Sequence, residues 1–212
     1  MPQDSLVPIS DEQAKLGQEA LKVLQGIGSF VGKALESVPE DVVGYLGGDW
    51  LRIRRAENIA KMMKRAKERL EAWGVKDAEP ASLTIALPIL RGAADESREE
   101  IQDLWARLLA AAMDPSRTKH VRQRFADVVH QMDPPDALLL ASPSLRDRAG
   151  GIQQPDRNAV AEELHISRDE LDVTLANLVR LDVFFEPNIG GSVVGTTPFG
   201  REFLLSVIKD NT

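Results

Sequence analysis

The sequence predicts a mainly α-helical protein: a multi-helix N-terminal and central region followed by a small C-terminal winged-helix-like unit, α with a short two-stranded β-wing. Three observations carry this expectation. Apolar residues recur at spacings of three and four through most of the 212 residues, the period of a helix with one buried face. The one β-rich run, Val183-Phe184-Phe185, stands late in the chain and runs into the turn sequence Pro187-Asn188-Ile189-Gly190-Gly191. Helical patterns on both sides of that run complete the order helix, turn, helix, wing, helix.

In chain order, Ser10-Asp11-Glu12-Gln13 is a capping-box pattern, and Leu16, Ala20, Leu24, Ile27, Val31 and Leu35 continue it as a helix over 11–37, stopped by Pro39. Gly17, Gly26, Gly28 and Gly32 lie inside this helix at up to ~1 kcal/mol each. Gly28 and Gly32, four apart, predict close approach of another helix; a membrane-surface segment is the alternative. Asp49 caps a second helix over 50–73, with Gly74 as the residue after its end. A linker at 77–80 leads to the apolar segment Leu83, Ile85, Leu87, Ile89 and Leu90, where Pro88 is expected near a first helical turn or at a bend.

Asp95, Glu96, Glu99, Glu100 and Asp103 then crowd the start of a helix patterned by Ile101, Leu104, Trp105, Leu108, Leu109 and Ala112. Carboxylates in a first turn are favoured by the helix dipole, which accounts for them better than a metal site does. A further helix is predicted over 118–132, with Val121, Phe125, Val128, Val129 and Met132 on one face and His130 beside it as a partly buried structural histidine. Asp133 and Pro134 cap and start the next, which carries Ala137 to Ala141. The C-terminal unit follows: a short helix over 158–164, a turn at His165-Ile166-Ser167, a helix capped by Ser167, the wing, and a last helix opened by Thr197-Pro198. The segmentation expected is 1–80 (Gly-rich and basic helices), 81–150 (central helical core) and 151–212 (winged-helix-like unit).

Composition excludes several chemistries. There is no cysteine, so disulfides, thiol nucleophiles and thiolate metal sites are ruled out, and three histidines leave few parts for acid–base or metal work. Dinucleotide-binding, Walker and His-Glu-x-x-His patterns are lacking, so no enzyme activity, cofactor or metal is expected. No apolar stretch reaches the roughly 18 residues of a membrane span, and the N-terminus lacks a basic signal region. A cytoplasmic protein, or one peripheral to the inner membrane, is the expectation.

The net charge of −7 conceals a segregation. Residues 1–49 and 151–212 are each −5, whereas 50–73 holds 8 basic and 3 acidic residues. That basic amphipathic helix fits anionic lipid, nucleic acid or an acidic protein surface; the alternative is a face that pairs with the protein's own acidic segments. Residues 117–124 form a second basic stretch. By contrast, the helix that would read DNA in the C-terminal unit begins Arg168-Asp169-Glu170-Leu171-Asp172, and the wing from 184 to 197 has no Lys or Arg. Phosphate contacts need positive charge, so this unit is read as a protein-interaction or oligomerisation module.

Four motifs carry a family resemblance: Ser97-Arg98-Glu99-Glu100-Ile101-Gln102-Asp103-Leu104-Trp105-Ala106-Arg107-Leu108-Leu109-Ala110-Ala111-Ala112-Met113-Asp114; Phe125-Ala126-Asp127-Val128-Val129-His130-Gln131-Met132-Asp133-Pro134; Leu175-Ala176-Asn177-Leu178-Val179-Arg180-Leu181; and Thr197-Pro198-Phe199-Gly200-Arg201-Glu202-Phe203. In this order the chain resembles the abortive-infection alpha family over about residues 20–208. One departure is the short connection between the last two motifs, where family members often carry a longer insertion. The resemblance implies a part in anti-phage defence, in which infected cells stop supporting phage growth, and it supplies no catalytic residues.

The leading expectation is thus a non-enzymatic bacterial phage-defence protein that acts by protein–protein interaction or self-association. A first alternative is nucleic-acid binding by the basic helices 50–73 and 117–132, through Arg52, Arg54, Arg55, Lys61, Lys64, Arg65, Arg117, Lys119, Arg122 and Arg124. A further alternative is a membrane-surface effector acting through residues 11–73. Arg107, Asp114, Asn177 and Arg180, inside the family-like motifs, are expected to form a buried polar network that locks helix packing.

Overall fold

The structure, a computed structural model, describes residues 28–35, 49–142, 157–186 and 195–208. The Ser10 capping box, most of the 11–37 helix, the turn at 187–191 and the start of the returning strand lie outside the described residues. Among those described are nine α-helices: α1 (Gly28–Leu35), α2 (Asp49–Ala72), α3 (Leu83–Ala94), α4 (Glu99–Met113), α5 (Arg124–His130), α6 (Pro134–Ala141), α7 (Arg157–Leu164), α8 (Arg168–Arg180) and α9 (Pro198–Val207). Among the described residues one antiparallel ribbon of β1 (Phe184–Phe185) and β2 (Gly195–Thr196) pairs Phe184 with Thr196 and Phe185 with Gly195. The protein is mainly α, and the C-terminal order of helix, turn, helix, ribbon, helix is the predicted one.

α4 is the hub. Eleven of its fifteen residues are buried, Ile101, Leu104, Trp105, Leu108, Leu109 and Met113 among them, so the helix is enclosed except along the stripe of Glu99, Asp103 and Arg107. α2, α3, α5, α6 and α9 all pack on it, and α8 joins through α6. One continuous apolar cluster runs from Phe30 to Val207, across all three expected segments. Within it the Phe125 ring of α5 meets Phe199 and Phe203 of α9 edge-on at 5.3 and 5.4 Å.

The caps follow from sequence. Ser167 accepts the Glu170 N–H at 3.1 Å and Thr197 accepts the Gly200 N–H at 2.7 Å, each satisfying a donor that a helix start leaves open. α2 ends as Gly74 predicts, with Gly74 N–H on Glu71 O, Val75 N–H on Leu70 O and φ +71° at the glycine. α7 and α8 end by the same device without glycine: His165 (φ 56°) and Asp182 (φ 63°) take the left-handed position, and Ile166 and Val183 bond back to Ala161 and Leu178. That conformation costs a non-glycine residue roughly 1–2 kcal/mol, offset here because it turns Ile166 and Val183 back onto the core.

Four expectations are corrected. Pro88 is the sixth residue of α3, well inside it. The helix begins at Leu83 behind Ser82, and the carbonyl deprived of a partner belongs to Thr84, an exposed residue that water can serve. The helix over 118–132 is broken: a 3₁₀ turn (Thr118–His120) precedes α5, because Val121 goes extended (φ −75°, ψ 126°) and buries its side chain. His130 is exposed rather than half-buried, since Phe125, Val128 and Val129 take the inward positions. Finally, a Cβ added at Gly32 would meet nothing within 4 Å; α1 packs through Phe30 and Ala34 and leaves Gly32 exposed.

Candidate interaction surfaces

α2 owes its place to two faces of one helix. Met62, Met63, Ala66 and Leu70 are buried against the core. Along the seam with α3 and α4, Arg55 bonds Asp95, Arg65 bonds Glu99, and Arg69 bonds Asp103 at 2.8 Å. On the remaining surface Arg54 and Lys61 both reach Glu57, while Lys64 and Lys67 face Glu68 and Glu71 one turn on. Thus each described cation of the helix has a carboxylate partner in the same chain; the Arg52 side chain lies outside the described residues. The acids that match the seam come from 95–103, in the middle of the chain, and not from its acidic ends.

Burial pushes the Glu57 carboxyl up, but the hydrogen bonds and charges of Lys61 and Arg54 outweigh it and hold the group below its ordinary value. Asp103 is likewise raised by burial and pulled down further by the charge and hydrogen bond of Arg107 and by Arg69, ending low. Glu96 follows the same pattern against Arg98, which grips it with two side-chain bonds of 2.9 and 2.8 Å and also reaches Asp133 at 2.7 Å. The acidic crowd at the start of α4 is therefore a docking strip for cations on α2 and its own neighbours. No group of three or more metal-ligating side chains occurs among the described residues.

The second basic stretch divides. Arg117 pairs with buried Asp114, donates to Leu205 O at 3.0 Å and lies 4.5 Å from the Trp73 ring centre. His120 meets Glu202 at 2.8 Å. Arg124 lies 4.3 Å over the Phe199 ring and 3.5 Å from Asp182. These groups fasten the stretch to α9 and to the end of α8. Lys119 and Arg122 are different: both are exposed and neither has an ion pair among the described residues.

The four residues expected to share one polar network fall into separate places. Arg107 joins Asp103 at 2.7 Å and reaches Val207 O at the end of α9. Asp114 takes the Ser116 N–H and hydroxyl at 2.9 and 2.7 Å. Asn177 and Arg180 do come together: Arg180 donates to Asn177 Oδ1 at 2.7 Å and to Gln131, and Asn177 donates to Gln131 O and to Asp136 at 2.7 Å. Arg180 is exposed, so this group ties α8 to α5 and α6 at the rim of the core.

Asp136, which sequence reasoning passed over, is the buried member of that tie. Its carboxylate takes the Asp133 N–H at 2.8 Å and the Asn177 amide, yet burial dominates and raises its proton affinity. The spacing Asp133-Pro134-Pro135-Asp136, a cap with an acid three residues on, was the signal that could have found it. Between α5 and the end of α8 lies an open groove of about 450 Å³ lined by Arg124, Asp127, His130 and Arg180 among others, with both signs of charge on its walls.

A family model described as abortive infection alpha matches residues 54–189, from within α2 to just beyond β1. This is narrower than the 20–208 span expected from the motifs: α1 and the Thr197-Pro198-Phe199-Gly200 element lie outside it. No curated protein and no solved structure matches the chain.

Proposed function

Because the chain belongs to the abortive-infection alpha family, we propose that it takes part in phage defence as a non-enzymatic protein that binds a protein partner or its own copies. The family match carries the phage-defence part of this reading. The distribution of charge supports the interaction part: the cations of α2 are engaged by acids of the same chain, and α8 exposes three acids, Asp169, Glu170 and Asp172, against two arginines, Arg168 and Arg180, a balance that suits a winged helix used for protein contact rather than for DNA. The place of action in this reading is the cytoplasm or the inner face of the inner membrane. Plaque assays on cells expressing the full chain test it against a broad phage panel. A reduced phage yield, lost on deleting residues 1–49 or on charge reversal in α8, is the expected result; unchanged yield across the panel would sink it.

Nucleic-acid binding stands as a second reading because Lys119 and Arg122 are exposed and without carboxylate partners among the described residues. It predicts binding that weakens steeply with salt, read by a low-salt mobility shift that disappears in Lys119→Ser/Arg122→Ser. A membrane-surface role loses the apolar face of α2, which is spent on the core. No helix among the described residues is long and apolar enough to cross a membrane. Co-sedimentation with anionic vesicles is the test; protein left in the supernatant removes that role.

A further inference from the structure

We infer that the outward face of α8 is a docking surface for a second copy of this chain, engaged through the cations of residues 119–122 and the exposed Leu205 of α9. The inference rests on the self-association branch of the function proposed above and names the two faces involved.

On α8, Asp169, Asp172, Val173 and Ala176 fall at i, i+3, i+4 and i+7, one stripe of a helix. All four are exposed, while Leu171, Thr174, Leu175 and Leu178 on the other side are buried. Val173 is 70% exposed, the most of any large apolar side chain among the described residues. Asp169 and its neighbour Glu170 have no ion pair among the described residues, whereas Asp172 is held by Arg157 at 2.7 Å and by the exposed Arg168 of the same turn at 4.0 Å. The helix dipole accounts for carboxylates in this first turn. It gives no account of Val173, an apolar group set among acids with nothing over it.

The complementary face lies along α9. Arg117 and His120 pin the 3₁₀ turn to Leu205 O and Glu202; Lys119 and Arg122 of this stretch are exposed, and so, at 53%, is the Leu205 side chain of α9. One surface thus offers carboxylates around an apolar residue, and the other offers two cations on a turn packed against α9 together with the exposed Leu205 of that helix. Among the described residues the ion pair that links the basic stretch to the end of α8 is that of Arg124 with Asp182, two residues past the helix. Asp169 and Asp182 are 13 residues apart, and at 1.5 Å rise the acidic end of α8 is about 20 Å from that contact. At physiological salt the screening length is about 8 Å, so that contact leaves Asp169 and Glu170 uncompensated, and among the described residues the two faces do not pair with one another within one chain. Between two copies they can. Because the faces differ, the contact is head-to-tail and leaves one face of each kind open, which extends to rings or filaments rather than stopping at a two-fold dimer.

The test is light scattering on the full chain across concentration, at about 50 and 500 mM salt, where a charge-steered contact weakens. The wild type should gain mass with concentration at low salt and lose it at high salt. Two variants alter exposed residues only: Lys119→Ser/Arg122→Ser removes one face and Asp169→Asn/Val173→Ser the other. Each alone should associate at least tenfold more weakly while keeping the wild-type circular dichroism. Mixed in equal amounts they should form a dimer and nothing larger, since only one intact pair of faces remains. Association of either variant equal to the wild type's, or no dimer in the mixture, overturns these faces and leaves self-association by another route standing. A wild type that stays monomeric at every concentration and salt overturns both.

Discussion

Gly200→Ala is the sharpest test of how α9 is seated. Gly200 is the third residue of α9 and packs on the backbone of Val183, just before β1. An added Cβ would stand 2.7 Å from the Val183 carbonyl carbon, 3.0 Å from its Cα and closer still to its oxygen. Ordinary carbon contacts need about 3.5–4.0 Å, so the start of α9 must withdraw by about 1 Å. That movement strains the Thr197 N–H to Val183 O bond of 3.1 Å and the Thr197 hydroxyl contact to the same oxygen, worth about 1 kcal/mol each. It also loosens fully buried Phe203 against Phe125, with overpacking itself costing about 1–3 kcal/mol. Against these stands a gain of up to about 1 kcal/mol in helix propensity. The expected net loss is about 2–4 kcal/mol. Urea unfolding followed by tryptophan fluorescence, with buried Trp105 as reporter, measures it. The internal control is Gly195→Ala, whose Cβ would meet only the Phe185 ring, which is 46% exposed and free to turn aside; its cost should stay below about 1 kcal/mol. If Gly200→Ala costs no more than Gly195→Ala, the close seating of α9 on Val183 is wrong.

Four further outcomes follow from the same geometry. Trp105→Ala should cost about 3–5 kcal/mol in urea unfolding, since the indole is buried and Gly92 has no side chain to fill the space. Gly32→Ala should raise stability by about 0.5–1 kcal/mol, because the added methyl meets open space within α1; a loss in thermal unfolding would contradict that placement. Asp103, held low, stabilises the fold above the unfolded carboxyl value of about 4 and loses this as pH falls through its lowered value. Asp103→Asn should therefore cost about 2 kcal/mol at pH 7, a gap that closes in acid. Asp136, held high, has the opposite sign: its contribution is complete below about pH 4 and is lost as pH rises through the raised value. Asp136→Asn should then gain on the wild type between pH 4 and 7, and a gap that widens instead would refute the burial argument.

The legible parts of this chain were those in which local chemistry and global packing agree. Ser167, Thr197-Pro198, Asp133-Pro134 and Gly74 mark helix ends that the fold keeps, because capping acts within a turn or two of chain. Where the two disagree, packing prevailed. Pro88 stays inside α3 because the lost bond falls on an exposed residue while Ile89 and Leu90 are buried next to it. The helical period over 118–132 breaks at Val121, whose burial requires an extended backbone. The candidate polyanion residues illustrate the same limit. Arg55 and Lys119 are indistinguishable as sequence, yet one meets Asp95 forty positions away and the other meets no carboxylate among the described residues.

By itself the amino-acid order determined the helical class, the ends of most helices, the lack of thiol chemistry and the family motifs. These depend on periodicity, composition and contacts between near neighbours, which the order of residues contains directly. Only the tertiary structure decided which cations are matched by acids, that Asp136 is the buried member of the α6–α8 tie, and that Val173 and Leu205 stay exposed. Those outcomes depend on which distant segments share a seam, and at that range the energy of a charge or an apolar side chain is set by the partner the fold brings to it and by the water the fold removes.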